Sequence, residues 1–458
     1  MKIAILADLH ATNNHDCLQW KALEDAIGVC MANYTDVIVL AGDMIMPGAE
    51  EAADRMRRTL ARIPIPMVAT MGNNEEEIKD YAKRFPFKTS FVTDEVEIYA
   101  MEADRPAPNG KPRMIFGHYP LEDSPEQGAL YVAGHRHLDI VGGMSQLVRG
   151  LDPDKAIGGP AIAIFSVNGG EWSRKDIPLP MFDLAQWTDD DKAAFASCLG
   201  VSIKKEPDTT LAELAEAGIR NVEFRWHIVP SPEALALWKA KTDGHISVHL
   251  PDITLDSNVA ELTELVRQWL ARGARQFTIH VPKVSIKALA IQENMDKILD
   301  IYAEVITAAQ NAVIGIENMH TKPGEPLENR RFGYIPSEQR QFIELLRKRL
   351  PNANIGPLLD IGHARNNLPF SSIYNLSEWY RQFGSELNAM HIHQVITDET
   401  GYHNHNAIRG LYTRLISLAS LLYDWRNGLI RRCPLFIETD EDWKITFQTF
   451  TRELLNHE

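Results

Sequence analysis

The chain has no run of about eighteen apolar residues, the length a helix needs to cross a bilayer, so no membrane span is expected. Cysteine is scarce. Cys17, Cys30, Cys198 and Cys433 are scattered without a CxxC pair, which argues against a disulfide framework or a zinc ribbon and leaves ordinary buried thiols. Positive charge is also short: 47 Lys and Arg stand against 62 Asp and Glu, a formal net charge of -15. That balance disfavours an extended, non-specific phosphate-binding surface while leaving room for a local basic groove. No internal repeat or low-complexity tract occurs. The N-terminal MKIAILADLH has one Lys and a short apolar run ending in acid and imidazole, without a small-residue cleavage site. It reads as a buried first strand of a cytoplasmic chain rather than as a secretory signal.

What is present describes a folded globular protein. The 45% hydrophobic and 24% charged content argues against disorder, collagen or a coiled coil. At roughly 150 residues per domain, 458 residues make two large domains or three ordinary ones. The first stretch alternates strand and helix: KIAILAD, a helix around Leu18 to Asn33, DVIVLAGD, a helix around Glu50 to Ile63, then MVATMGN. From Phe91 onward come short strands, VEIYAME, RMIFGH, YVAGHRH, SQLVRG and AIAIFSV. Between about Gly169 and Asp191, a GG pair, the prolines of IPLPMF and an acidic DDD mark a composition shift fit for a linker. We therefore expect a first domain over 1–182, a linker over 183–194 and a second domain over 195–458. Eight strand-like runs follow the linker: CLGVSI, NVEFRW, HISVHLP, QFTIHVP, VIGIEN, NIGPLLD, AMHIHQ and PLFIET. Helical segments lie between them, as a (β/α)8 barrel requires. The longest crossover separates the last two.

In the first domain, chemistry-bearing residues sit where strands give way to loops. Asp8 and His10 end the first strand, Asp43 the second and Asn73 the third; His118 follows in FGHYP, and His135 and His137 in AGHRH. One sheet edge would thus gather carboxylates, imidazoles and an amide around common ions. Two divalent ions about 3.5 to 4 Å apart, bridged by a carboxylate, clamp a phosphoryl group and activate water. The ordered series DxH, GD, GNN, GH and GHxH, over roughly residues 1–180, resembles the calcineurin-like metallophosphoesterases. The resemblance implies an α/β sandwich holding two divalent transition metals (Mn, Fe, Ni or Zn). It also makes Asp8, His10, Asp43, Asn73, His118, His135 and His137 the ligands, with Asp43 bridging and His118 beside the reaction. The family's commonest form has GNHD or GNHE where this chain has Asn73-Asn74. An imidazole there can protonate a leaving alkoxide; the amide of Asn74 cannot. Diesters with good or strained leaving groups should therefore react better than unactivated monoesters, as in the small bacterial and archaeal phosphodiesterase branch that the chain resembles. His15 and Asp16 read as solvated helix-start residues, and Glu75 to Glu77 as an acidic helix N-terminus.

The second domain repeats the pattern at barrel strand ends, where side chains converge on one mouth. His249, His280, Glu317, Asp360 with His363, His391 with His393, and Glu438 close successive runs; His403 and His405 lie in GYHNHN. Such a cluster suits Zn²⁺ or Mn²⁺. The order Glu, Asp-x-x-His, His, Glu, over about residues 197–458, resembles the xylose isomerase-like superfamily, which implies one ion and sugar isomerisation or epimerisation. His249, His280 and the HNH at 403–405 are similar to the strand-end histidines and late Asp-x-His loop of endonuclease IV-type AP endonucleases, which hold three ions. By that resemblance His249, His280, Glu317, Asp360, His363, His391, His405 and Glu438 are metal candidates for one to three ions, with Glu317 and Glu438 placed for catalysis. His403 stands where that loop has Asp, and CLGVSI ends without a histidine. Nucleotide, cyclic-phosphate and sugar-phosphate substrates therefore stay open beside abasic DNA. Strand alternation would turn His393 toward the helix layer. His227, His245 and His320 read as structural. Arg330, Arg331 and Arg409 could grip a phosphate or be solvated.

Three functions follow. One is a bifunctional metal-dependent phosphoesterase acting on a phosphodiester, nucleotide or nucleic-acid substrate. The second is a phosphodiesterase joined to a sugar isomerase or epimerase, and the third a phosphodiesterase controlled by a ligand-sensing barrel. The sequence leaves the oligomeric state open.

Overall fold

The structure, a computed structural model, describes residues 1–322, 324–399 and 401–456. The chain divides into two compact units, one of Met1–Asp183 with Leu411–Tyr423, the other of Leu184–Gly410 with Asp424–Glu458. None of its described helices is long and apolar enough to cross a membrane.

The first unit contains two five-stranded sheets. β1 (Lys2–Leu6), β2 (Val37–Ala41) and β3 (Met67–Thr70) are parallel. The second sheet comprises β4 (Ser90–Val92), β5 (Glu97–Ala100), β6 (Arg113–Gly117), β7 (Leu130–Ala133) and β8 (Ser145–Leu147). β9 (Ala161–Asn168) and β10 (Glu171–Pro178) complete the first sheet antiparallel, in the order β10-β9-β1-β2-β3. Side-chain alternation explains the sandwich. Ile3, Ile5 and Ala7 of the first strand and its end join Val37, Val39, Ile98, Met114, Phe116 and Val132 between the sheets. Ala4 and Leu6 point the other way, onto Leu18, Leu23 and Ala26 of helix Leu18–Ala32 and Met56 and Leu60 of helix Glu50–Leu60. A strand buried on both faces needs apolar residues at every position, hence the unbroken run at the N-terminus.

In the second unit, eight parallel strands close a barrel: β11 (Leu199–Ile203), β12 (Asn221–Arg225), β13 (His245–His249), β14 (Gln276–His280), β15 (Val313–Glu317), β16 (Ile355–Asp360), β17 (Ala389–Ile392) and, after the hairpin β18 (Gln394–Asp398) and β19 (Gly401–Asn406), β20 (Leu435–Ile437). These are the eight expected runs, and the fold is α/β throughout. Helices Pro207–Glu216, Pro232–Thr242 and Pro336–Arg349 begin on proline. Its fixed φ and missing N–H cost nothing in a first turn, where the donors are unpaired anyway.

Two segments differ from expectation. Gly169 and Gly170, both at positive φ, form the two-residue turn of the β9–β10 hairpin rather than opening a linker. The acidic run Asp189–Asp191 starts helix Asp189–Cys198, with Thr188 and Asp191 exchanging capping hydrogen bonds, because acids stabilise a helix N-terminus as readily as they solvate a linker. Leu411–Tyr423, inside the sequence range of the barrel domain, belongs to the first unit: Ala419 enters its helical core, and Ser420 Oγ donates to Asp154.

Candidate metal centres

In the first unit the loops after four strands bring two donor sets together, Asp8 with His10 and His137, and Asp43 with His118 and His135. Asp43 Oδ2 lies 3.4 Å from His10 Nε2 and 3.4 Å from His118 Nε2, so one carboxylate oxygen reaches an imidazole of each set. Asn73 Oδ1 stands 3.2 Å from His118 Nε2. Asp8, His10, Asp43, His135 and His137 all hold left-handed backbone, φ 51, 54, 51, 69 and 54°. Non-glycine residues rarely adopt it, and strain of this kind persists where surrounding contacts impose it for function. The glycines ahead of the ligands answer a spatial demand. A Cβ on Gly42 would meet Gly72 N and His118 Nδ1 at 2.8 Å, and one on Gly72 would meet Asp43 Oδ1 at 2.2 Å. The GD and GN pairs thus let two loops close on one carboxylate.

Neighbouring groups fix the imidazoles. His118 Nδ1 lies 3.1 Å from the Ala41 carbonyl and donates to it, turning Nε2 toward Asp43. His10 Nδ1 lies 2.9 Å from Asp152 Oδ2. Burial and the adjacent cationic His10 hold His137 neutral, with its pKa well below the usual range, and its buried Nδ1 has no hydrogen-bond partner among the described residues. Burial pushes Asp8 up to about 7. Burial would also raise Asp43, but hydrogen bonds from His10 and His118 hold it far below the carboxylate range. Against its own burial, His118 is pushed up to about 9 by Asp43. Glu75 lies in the first turn of helix Asn73–Glu76, as expected, and is buried. It is 1% exposed and accepts from the backbone N–H of Asp43, Met44, Ile45 and Gly72 at 2.8, 2.6, 3.1 and 2.8 Å, tying the GD loop to the GN loop. Asn74 is buried; its N–H donates to Asp43 Oδ1 and its side-chain oxygen accepts from Asn73. His15 and Asp16 are exposed, as expected.

At the barrel mouth two further sets share Glu317: His249 and His280 with Glu317, and Asp360, His391 and Glu438 with Glu317. Glu317 Oε2 lies 3.1 Å from His249 Nε2 and 3.4 Å from His280 Nε2, and its Oε1 lies 3.2 Å from His391 Nδ1. His391 Nδ1 is also 2.8 Å from Glu438 Oε2. His249 Nε2, Glu317 Oε2 and Glu438 Oε2 are nevertheless buried without a hydrogen-bond partner among the described residues. Lone pairs that converge without satisfying one another fit a cation between them. His363 stands beside these sets, Nδ1 3.1 Å from the Asn318 carbonyl. His405, at φ 60°, has its Nδ1 3.7 Å from Glu438 Oε1.

His393 corrects the alternation argument. It follows the last residue of β17 and turns inward, its Nε2 2.9 Å from Asp360 Oδ1. His403 is half-exposed and pairs with Asp398. Arg330 is buried against Glu338, Arg331 against Asp252, and exposed Arg409 against Glu441.

Comparison with known families finds a likeness in the first unit. Residues 1–172 match the calcineurin-like phosphoesterase family. The matched segment precedes the closed parallel barrel. No curated protein matches the chain. Among solved structures, a family 2 AP endonuclease from Brucella melitensis is 12% identical, with 56% of this chain and 98% of that chain covered and a TM-score of 0.41. A sugar phosphate isomerase/epimerase from Parabacteroides distasonis is 12% identical over 57% of this chain and 95% of that chain, TM-score 0.36. A dimetal phosphatase from Danio rerio is 13% identical over 38% of this chain and 95% of that chain, TM-score 0.29.

Three carboxylates escaped the sequence argument. In the first unit Asp152 holds His10. In the barrel, fully buried Glu223 lies 2.8 Å from His391 Nε2 and accepts from Ser202, Ser247 and Thr278. Despite burial, His391 holds Glu223 down to about 2, while Glu223 and Glu317 push His391 up to about 10. Asp252 lies 2.7 Å from His280 Nδ1. An acid in the middle of NVEFR, on the face opposite Val222 and Phe224, was the available signal for Glu223.

Proposed function

We propose that the phosphoesterase unit is a dinuclear phosphodiesterase with weak monoesterase activity, and that the barrel is a second metal-dependent phosphoesterase for a nucleotide, nucleic-acid or sugar-phosphate substrate. The observation that carries the first half is Asp43 Oδ2 at 3.4 Å from both His10 and His118, a bridging position between two donor sets. Asp8, His10 and His137 would hold one ion, His118, His135 and Asn73 the other, and Asp43 both. Bound there, a divalent pair supplies phosphoryl polarisation and water activation. The chain's own contribution is to hold these donors rigid. Glu75 pins the Asp43 loop, Asp152 and the Ala41 carbonyl orient His10 and His118, and Asn74 offers the leaving oxygen no proton.

For the barrel, Lys204 and Arg225 support an anionic substrate. Arg225 pairs with Glu438, and Lys204 Nζ lies 3.7 Å from the same carboxylate. Both line a recess of about 400 Å³ with Trp226, His227, His249 and His280. Cations at the rim favour a phosphate-bearing substrate over a neutral sugar. The convergence of Glu317 and Glu438 on one nitrogen of His391 favours the second reading, a single-ion isomerase or epimerase in which those two glutamates exchange a proton. Metal content discriminates, one ion per barrel for isomerisation against more than one for hydrolysis.

The phosphodiesterase assignment is tested with Mn²⁺-loaded protein on matched aryl diester and monoester phosphates. Diester turnover should exceed monoester turnover by about a hundredfold, the scale of a missing general acid, and Asn74→His should narrow the gap. Comparable rates on the two substrates would rule the assignment out.

A further inference from the structure

The end of the barrel opposite the metal cluster is also polar. Asn221, His245 and Gln276 are the first residues of β12, β13 and β14. Each lies two positions before Glu223, Ser247 and Thr278, whose side chains meet inside the barrel. Period-two alternation therefore turns all three inward at the N-terminal mouth, where barrels ordinarily bury apolar side chains. Gln276 is 1% exposed; its Oε1 lies 3.2 Å from His245 Nε2, while its Nε2 has no hydrogen-bond partner among the described residues. A buried amide donor left unpaired costs about 1–3 kcal/mol, a cost that an acceptor bound beside it would remove.

Around it lies a recess of about 360 Å³ lined by Arg220, Arg431 and Arg432, with Asp243 as the acid on the same lining. Three guanidinium groups against one carboxylate make a local positive patch on a chain whose net charge is -15. Arg432 is stacked over Trp425, 5.2 Å from the ring centroid, which limits its freedom. Guanidinium forks and an amide N–H are donors only, and together they suit a group with several acceptor oxygens and delocalised negative charge.

We propose that this N-terminal mouth is a binding site for a small phosphoryl compound, separate from both metal centres and independent of metal. Gln276 Nε2 donates to the phosphoryl oxygens from the floor, and Arg220, Arg431 and Arg432 neutralise them from the rim.

The test is calorimetric titration of inorganic phosphate into the full-length chain in the presence of a chelator, with tungstate soaked into crystals to locate the site. Saturable chelator-resistant binding should weaken about tenfold in Arg220→Ala, the loss of one charge-assisted contact. It should also weaken in Gln276→Leu, with metal-supported diester turnover unchanged in both. Arg220 is exposed, so its variant tests the site even where Gln276→Leu fails to fold. Binding that disappears with chelator, tungstate only at the metal clusters, or wild-type affinity in Arg220→Ala would each overturn the proposal. Tighter binding of citrate than of phosphate would overturn its phosphoryl assignment.

Discussion

Asp152 Oδ2 lies 2.9 Å from His10 Nδ1, and its other oxygen accepts from Gln19 Nε2 at 3.1 Å. With Asp152 fully buried, this pair sets which nitrogen of His10 faces Asp43 and raises the basicity of that nitrogen. Asp152→Asn keeps the shape and removes the charge. We expect Mn²⁺ affinity to fall by about 10- to 100-fold, the usual cost of losing a carboxylate behind a ligating histidine. Diester turnover should recover toward wild type at saturating Mn²⁺. An unchanged Mn²⁺ titration would show that Asp152 does not position His10.

Such partners explain how much was legible in advance. The strands could be read because each combines a short apolar run with a turn signal. The two ligand-rich strand ends were visible because histidines and acids closing such runs have few structural reasons to recur. Asp152 could not be found this way: it belongs to no strand end, and its partner lies 142 residues away. Glu75 does lie in a helical first turn, as read, but its burial was not visible, because the tight GD and GN loops that aim four N–H groups at it are 30 residues apart in sequence. His393 was misjudged because alternation was extended one residue beyond the end of β17. Periodicity locates elements, but only the tertiary fold tells which buried acids stand behind the ligands.

Glu75 yields a second expectation. Glu75→Gln keeps one acceptor oxygen and presents an amide donor to N–H groups that already need acceptors. The buried mismatch should cost about 1–3 kcal/mol and loosen the loop carrying Asp43. Thermal denaturation should show a lower midpoint, and Mn²⁺ activation should require more metal. A variant with wild-type melting and activation would assign Glu75 no part in holding the loop.

The acid limit of stability should report a buried pair away from both metal centres. Arg113 donates to Glu97 through Nε at 2.9 Å and Nη2 at 2.5 Å, and both side chains are 3% exposed. Burial alone would raise Glu97, but the guanidinium contacts hold it below the usual carboxylate range. A depressed folded-state pKa gives stability that is present above the unfolded value, about 4.3, and lost as pH falls through the folded one. Urea midpoints should therefore drop below about pH 4. Glu97→Gln should lose this component of the acid dependence and be destabilised by about 1–3 kcal/mol at neutral pH, because buried Arg113 keeps only Glu126 as a carboxylate partner. Parallel pH profiles for wild type and variant would contradict the assignment.

The two metal centres should separate under single substitutions. Asp43→Asn removes the charge shared by His10 and His118, and the diester hydrolysis proposed for the first unit should fall to background with loss of bound metal there. Glu317→Gln removes the carboxylate common to both donor sets of the barrel. The barrel should then bind less Zn²⁺ or Mn²⁺ and lose whatever turnover it supports, while diester hydrolysis that depends on Asp43 continues. Metal content of each variant, read beside its rates, distinguishes loss of an ion from loss of chemistry. If either substitution abolished both activities while leaving the other centre's metal in place, the centres would be coupled, and the barrel would be a controlling element for the phosphodiesterase rather than an independent catalyst.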